Sequence, residues 1–225
     1  MSSGSLPQPL RQAVEADLMP VRPLLPTWMR VAIAATAAAV GLAAAAVGFQ
    51  LTLRPDLQQI PLWLSWGCAA LQLAVALTLI VMAMREAVPG RGLPAGAAML
   101  AVTAGVVVQV LVGIATWVHS PGLPLVPGRV LAAGLGCASH DVAVVAPALI
   151  ITLWLVFRAL PVRPALAGLL GGAGAALGAD AFNHLVCPMS DLRHVLVWHT
   201  GVLLGLMLLG WGIGSMWERR RLPRP

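Results

Sequence analysis

The chain has 225 residues, of which 59% are hydrophobic and 10% are charged, whereas soluble domains are roughly 25% charged. So few charges exclude a soluble enzyme, a disordered chain and a nucleic-acid-binding domain, and they favour an all-α integral membrane protein. The net charge of +6 comes from arginine alone, because the chain contains no lysine.

The first 30 residues are predicted to form a cytoplasmic tail that binds another protein. Apolar residues recur four positions apart, at Leu6, Leu10, Val14 and Leu18. They predict a short amphipathic helix over about 9–19, followed by a proline-rich connector over 20–26. A helix this short is marginal in water, so we expect it to fold against a partner. Its acidic residues favour an apolar groove on a protein over an anionic membrane, which makes Leu10, Val14 and Leu18 the candidate contacts.

Six uncharged apolar runs are long enough to cross a bilayer, which requires about 20 residues. The predicted spans are 31–53, 61–84, 93–118, 138–157, 164–182 and 195–217, and a basic tail follows at 218–225. The fifth run is the least apolar, because it contains Asp180 and many glycines. Small residues four apart let helices approach closely in lipid, so we expect the fifth span to be central and covered by the others.

The arginines predict the orientation of these spans. Eleven of the fourteen fall on the side of the two termini. The other side has three, at Arg54, Arg129 and Arg193. Arginine and lysine are enriched in the cytoplasmic segments of membrane proteins. Both termini are therefore predicted to lie on the cytoplasmic side of a bacterial inner membrane, in an N-in/C-in topology.

Residues capable of chemistry gather at the opposite, outer ends of the spans. All five histidines fall there, together with Cys137 and Cys187, and the depth along each span places Cys137, His140, His184 and His199 at nearly one level. The candidate metal ligands are Cys137, Cys187, His184 and His199. Thiolate and imidazole groups are the usual ligands of zinc and copper, and cysteines also respond to oxidants. Asp180 lies about one turn deeper, and an intramembrane carboxylate is functional by default, so we assign it to signal transmission.

Other interpretations of these residues remain open. Cys137 and Cys187 would also suit a structural disulfide, and individual histidines would suit the membrane interface. Asp180 would also suit a hydrogen-bonded packing role. Neither a Cys-x-x-Cys nor a His-Glu-x-x-His pattern occurs, so a thioredoxin-like redox motif and a zinc-protease motif are absent from the sequence.

Several short stretches are similar to those of a known family. They are Pro-Val-Arg-Pro-Leu at 20–24, Leu-Arg-Pro-Asp-Leu at 53–57, Cys137 with Pro147, Cys187-Pro188, and Trp198-His199. Together they resemble the NrsF family, membrane-embedded negative regulators of sigma factor F in proteobacteria. The resemblance implies a six-span anti-sigma factor whose tail holds an extracytoplasmic-function sigma factor inactive. It also implies that two outer cysteines, here Cys137 and Cys187, sense metal or oxidant.

The sequence therefore predicts a non-enzymatic signalling protein that contacts lipid and a sigma factor but not nucleic acid directly, and that takes part in a heavy-metal or oxidative stress response. Its bound group would be a soft transition-metal ion such as copper or zinc, or none if the cysteines act as a redox pair. Two alternatives are a small metal transporter and a haem-binding membrane protein with ligands such as His140 and His199. The transporter is disfavoured because the inner loops contain no cysteine or histidine.

Overall fold

The computed structural model describes residues 7–17, 23–120, 128 and 130–221. Within these ranges the chain forms seven helices and connecting turns, with no strand. The helices are α1 (Gln8–Asp17), α2 (Thr27–Gly48), α3 (Trp63–Glu86), α4 (Ala95–His119), α5 (Val130–Arg158), α6 (Pro164–Val186) and α7 (Leu192–Arg221). The last six are long and apolar enough to span a membrane, which confirms the predicted all-α, six-span fold.

Helix α6 is the central helix of the bundle. In its most apolar window 72% of the residues are buried within the protein, whereas the corresponding value for α2 is 17%. Its glycines permit this position, because a Cβ atom at Gly168 or Gly172 would collide with the carbonyl oxygen of Gly210 or Leu206 in α7. The backbones of α6 and α7 therefore touch along a glycine seam, as expected for small residues repeated every fourth position.

Helix α2, which follows the N-terminal tail, lies at the periphery and packs mainly against α5. The two helices approach closely at Gly41, where an added Cβ atom would lie 2.8 Å from Cγ of Pro147. Pro147 stands inside α5 and removes one backbone hydrogen bond from it. The helix that carries the tail thus rests on a locally weakened point of α5.

Helix α5 is longer than the predicted fourth span. It begins at Val130, eight residues before the predicted start at 138, and has 29 residues. The predicted start lies about 20 residues before Arg158, the length a bilayer requires, whereas the helix continues beyond that length. Cys137 therefore lies within a helix and is held rigidly with respect to the rest of α5.

Two arginines tie helices together at one end of the bundle, which we call the tail end because α2 begins there. The guanidinium group of Arg30 is buried and donates hydrogen bonds to the carbonyl oxygens of Met84 in α3 and Leu155 in α5, both at 3.2 Å. Arg163 donates two hydrogen bonds to Glu86, at 2.6 and 2.8 Å. Arg30 thus fixes the first turn of α2 to the ends of α3 and α5, and Arg163 joins the end of α3 to the start of α6.

Candidate metal site

At the opposite end of the bundle, which we call the cysteine end, Arg54 joins three connections between helices. Its buried guanidinium group pairs with Asp56 at 2.6 and 2.7 Å, and it donates further hydrogen bonds to Ser120 at 2.8 Å and Ser190 at 2.9 Å. Its backbone N–H donates to the carbonyl oxygen of Leu185, at the end of α6. This network holds the end of α4 and the α6–α7 connection in fixed positions.

The ionisation of Asp56 depends on the same network. Burial alone would raise its pKa, but hydrogen bonds from Arg54 and Ser120, together with the positive charge of Arg54, outweigh burial and lower the pKa below its ordinary value. The carboxylate form of Asp56 is thus the form that the fold stabilises.

Two thiols meet beside this network. Cys137, in the early part of α5, and Cys187, immediately after α6, have their sulfur atoms 3.2 Å apart and not bonded to each other. Cys187 follows the last residue of α6, because Pro188 cannot continue the helix. The hydrogen bond with Cys137, with a contribution from His194, lowers the pKa of the Cys187 thiol. A pair held this way can bind a soft cation or be oxidised to a disulfide after a small movement.

Two histidines of α7 complete the surroundings of the thiols. Nε2 of His194 lies 3.5 Å from Sγ of Cys187, and the ring centroids of His194 and His199 are 5.4 Å apart. His199 lies in a π-helical turn, Val195–Thr200, a distortion that re-aims side chains and is common at functional sites. One ligand atom from each of Cys137, Cys187, His194 and His199 lies within 4.8 Å of the other three.

Beneath these residues a chain of buried polar side chains enters the membrane-spanning part of the bundle. Nδ1 of His199 donates a hydrogen bond of 2.6 Å to Asp180 of α6. The other carboxylate oxygen of Asp180 accepts a hydrogen bond of 2.8 Å from Gln72 of α3, whose amide also donates to Gln109 of α4 at 2.7 Å. Asp141 of α5 approaches Nδ1 of His199 at 3.7 Å. Five helices thus contribute to one polar network.

The structure brings three of the four predicted metal ligands together and places the fourth beside them. Cys137, Cys187 and His199 belong to one group, while the imidazole Nε2 of His184 lies 2.7 Å from the carbonyl oxygen of Leu64. His184, Asp180, Cys187 and His199 nonetheless line one small cavity of about 20 Å³, the size of a single water molecule or ion.

The other predicted residues have less defined surroundings. Leu10 lies in α1 and is exposed, and Val14 belongs to the same helix, whereas Leu18 lies outside the described residues. The rings of His119 and His140 lie against Trp63 and Phe49, respectively. His140 therefore does not share the environment of His199, as two ligands of one haem would.

Sequence reasoning missed four members of this site as functional residues, namely Asp141, His194, Gln72 and Gln109. The sequence predicts only a position at the membrane boundary for His194, because its short helical turn has the same pattern as a loop. Gln72 and Gln109 are isolated amides within apolar runs and are almost completely buried. A single polar side chain in an apolar run is the sequence signal that identifies them as candidate functional residues.

Comparison with known proteins identifies a family that the chain matches. A family model described as NrsF, negative regulator of sigma F, matches residues 15–219, which is most of the chain. No match was found among the curated proteins or the solved structures compared with it.

Proposed function

The chain belongs to the NrsF family of negative regulators of sigma F, and from that premise we propose that it is a transmembrane anti-sigma factor controlled by its cysteine pair. A sigma factor is accordingly its partner, and its six candidate spans make it a membrane protein. In the proposal the cysteine end faces the periplasm and the N-terminal tail holds an extracytoplasmic-function sigma factor in the cytoplasm. The protein catalyses no reaction of its own.

One observation carries the sensing part of this proposal. Two thiols, 3.2 Å apart, meet at the end of the bundle opposite to the point where the tail joins α2. Cys137 lies in α5 and Cys187 in the α6–α7 connection, so a metal ion or a disulfide between them would fix α5 relative to that connection. This arrangement supports a sensor more than an isolated surface thiol would.

Helix α5 supplies the connection between the two ends. It carries Cys137 near its start, contacts Gly41 of α2 through Pro147, and accepts the hydrogen bond of Arg30 at Leu155. A shift of α5 would therefore reach the first turn of α2, to which the tail is attached. A ligand moves such an equilibrium only by binding one arrangement more tightly than the other.

Co-purification of the tagged full chain with its sigma factor tests the proposal. We expect the complex from untreated cells to lose the sigma factor after exposure to a soft metal or an oxidant, and C137S and C187S to retain it. The matched control is C68S, because Cys68 is buried in a separate apolar cluster with Ile60 and Leu64. Retention of the sigma factor by wild-type protein under both treatments would contradict the sensing proposal.

The same assay separates a sensor from a structural disulfide. Loss of a structural disulfide typically costs about 2–5 kcal/mol, so C137S and C187S would then fail to accumulate and would release the sigma factor constitutively.

The co-purification assay also tests the tail. We expect a triple change of Leu10, Val14 and Leu18 to aspartate to abolish binding of the sigma factor while membrane insertion persists. Binding that survives the triple change would place the contact elsewhere.

A further inference from the structure

The positions of four potential ligands match the requirements of a tetrahedral cation. Zinc bonds of roughly 2.0–2.3 Å to nitrogen and sulfur place neighbouring ligand atoms roughly 3.3–3.8 Å apart in a tetrahedron. Sγ of Cys187 lies 3.2 Å from Sγ of Cys137 and 3.5 Å from Nε2 of His194, and the whole group lies within 4.8 Å. A small separation of the two sulfur atoms and a small contraction of the longer distances would convert the four atoms into a coordination shell.

His199 is oriented as a metal-binding histidine. Its Nδ1 atom donates to Asp180 at 2.6 Å, and its other ring nitrogen, Nε2, is buried without a hydrogen-bond partner among the described residues. A carboxylate that fixes one ring nitrogen and leaves the other free for the metal is the usual support of a histidine ligand. Gln72 in turn holds the second oxygen of Asp180, so the orientation of the carboxylate is set by another helix.

His194 is held at the start of α7 by a helix cap. The side chain of Asp191 accepts hydrogen bonds from the backbone N–H groups of Arg193 and His194, which fixes the turn that presents the imidazole to Cys187. His184 differs, because the contact of its Nε2 with the carbonyl oxygen of Leu64 requires a proton on that nitrogen.

We propose that Cys137, Cys187, His194 and His199 bind one tetrahedral divalent cation of the zinc class, and that Asp180 positions His199 without touching the metal. This inference rests on the proposed function and deepens it, because it selects metal coordination over a bare redox pair. Two sulfur and two nitrogen ligands in a tetrahedron are typical of zinc sites, and cadmium and cobalt are chemically matched probes.

Cobalt titration of the purified, reduced full chain in detergent tests the ligand set. We expect one equivalent of Co²⁺ to give tetrahedral d–d bands and a thiolate charge-transfer band. H194A and H199A should each lose or alter the d–d bands, whereas the matched control H184A should retain the wild-type spectrum. Identical spectra for wild type, H194A and H199A would overturn the assignment of the histidines.

Asp180→Asn tests the positioning role separately. Loss of outer-shell partners typically weakens metal binding about 10–100-fold, so we expect weaker cobalt binding by D180N with the wild-type spectrum preserved. A changed spectrum would instead make Asp180 a ligand and overturn its positioning role.

X-ray absorption spectroscopy of zinc-loaded wild-type protein identifies the ligands without any variant, so its result does not depend on whether a variant folds. Two sulfur and two nitrogen neighbours are expected, and any other count overturns the inference.

Failure of the metal centre is distinguishable from failure of the proposed function. Wild-type protein that binds no metal but releases its sigma factor on oxidation keeps the function and overturns the metal centre. Metal binding without release in the co-purification assay supports the metal centre and overturns the sensing function.

Discussion

Arg54 and Asp56 form a buried ion pair on which the cysteine end depends. Both side chains are nearly inaccessible, and the pair also engages Ser120 and Ser190. Removing one member of a buried pair typically costs about 3–5 kcal/mol, because the remaining charge has no partner. The ion pair therefore contributes to holding Cys187, which lies three residues before Ser190, in place.

The ion pair predicts an acid sensitivity. Because the pKa of Asp56 is lower in the folded protein than its ordinary value, its stabilisation is fully present above the unfolded pKa of about 3.9 and is lost as pH falls through the folded pKa. We expect the melting temperature of wild-type protein in detergent to fall as pH is lowered from 6 towards about 3. Asp56→Asn should be less stable at pH 6 and should lose this part of the dependence. Parallel pH profiles for the two proteins would contradict the role of Asp56.

At the residue scale, the sequence predicted the cysteine pair better than the histidines. Depth along the spans predicts Cys137 and His199 at one level and Cys187 on the same outer side, and the structure places the three together. Depth alone carries no information on rotation about a helix axis, so it favours His184, whose ring contacts Leu64, over His194, which lies beside Cys187. The cap formed by Asp191 and the π-helical turn that follows, which together set that rotation, have no sequence signature as clear as an apolar run.

At the scale of elements, the glycine seam between α6 and α7 fixes the distance between these helices. A Cβ atom at Gly172 would collide with the carbonyl oxygen of Leu206, and it would lie 3.3 Å from Cα of Met207. Backbone atoms cannot rotate away as a side chain can, so the helices would have to separate. The elements that carry Cys187, His194 and His199 are thereby held as one unit.

Gly172→Ala is expected to destabilise the protein by about 1–3 kcal/mol or more through overpacking. Gly178→Ala in the same helix is the matched control, because its Cβ atom would make an ordinary contact of 3.6 Å with Ala76. Thermal unfolding followed by tryptophan fluorescence in detergent compares the two variants. Equal melting temperatures for G172A and G178A would show that the seam tolerates separation.

The existence of the six helices was predictable, but their ends were less so. Uncharged runs of bilayer length reveal a span, and the repeated glycines correctly predicted that α6 is central. Helix α5 extends to Val130 because its first turns contain no proline, whereas a hydropathy argument stops where the membrane requirement is met.

For the whole molecule, the distribution of arginine predicts that both tails lie in the cytoplasm. A reporter enzyme fused after Pro225 should therefore behave as a cytoplasmic protein, with no alkaline phosphatase activity in intact cells. The matched fusion is a truncation after Ser120, at the end of α4 and on the cysteine end, which should be periplasmic and active. The opposite pattern of activities would reverse the orientation and, with it, the side from which a signal reaches the thiols.

The four proposed ligands are divided unequally between two bodies. Cys187, His194 and His199 belong to the α6–α7 unit joined by the glycine seam, whereas Cys137 alone belongs to α5. The dissociation constant of the metal would consequently measure how favourably α5 docks onto that unit. Each 1.4 kcal/mol lost from docking should weaken binding about tenfold, even for substitutions far from the ligands, such as at Gly171 of α6, whose added Cβ atom would lie 3.1 Å from Cγ2 of Thr152 in α5. A simple metal titration would thus map, position by position, the mechanical coupling between the two ends of the protein.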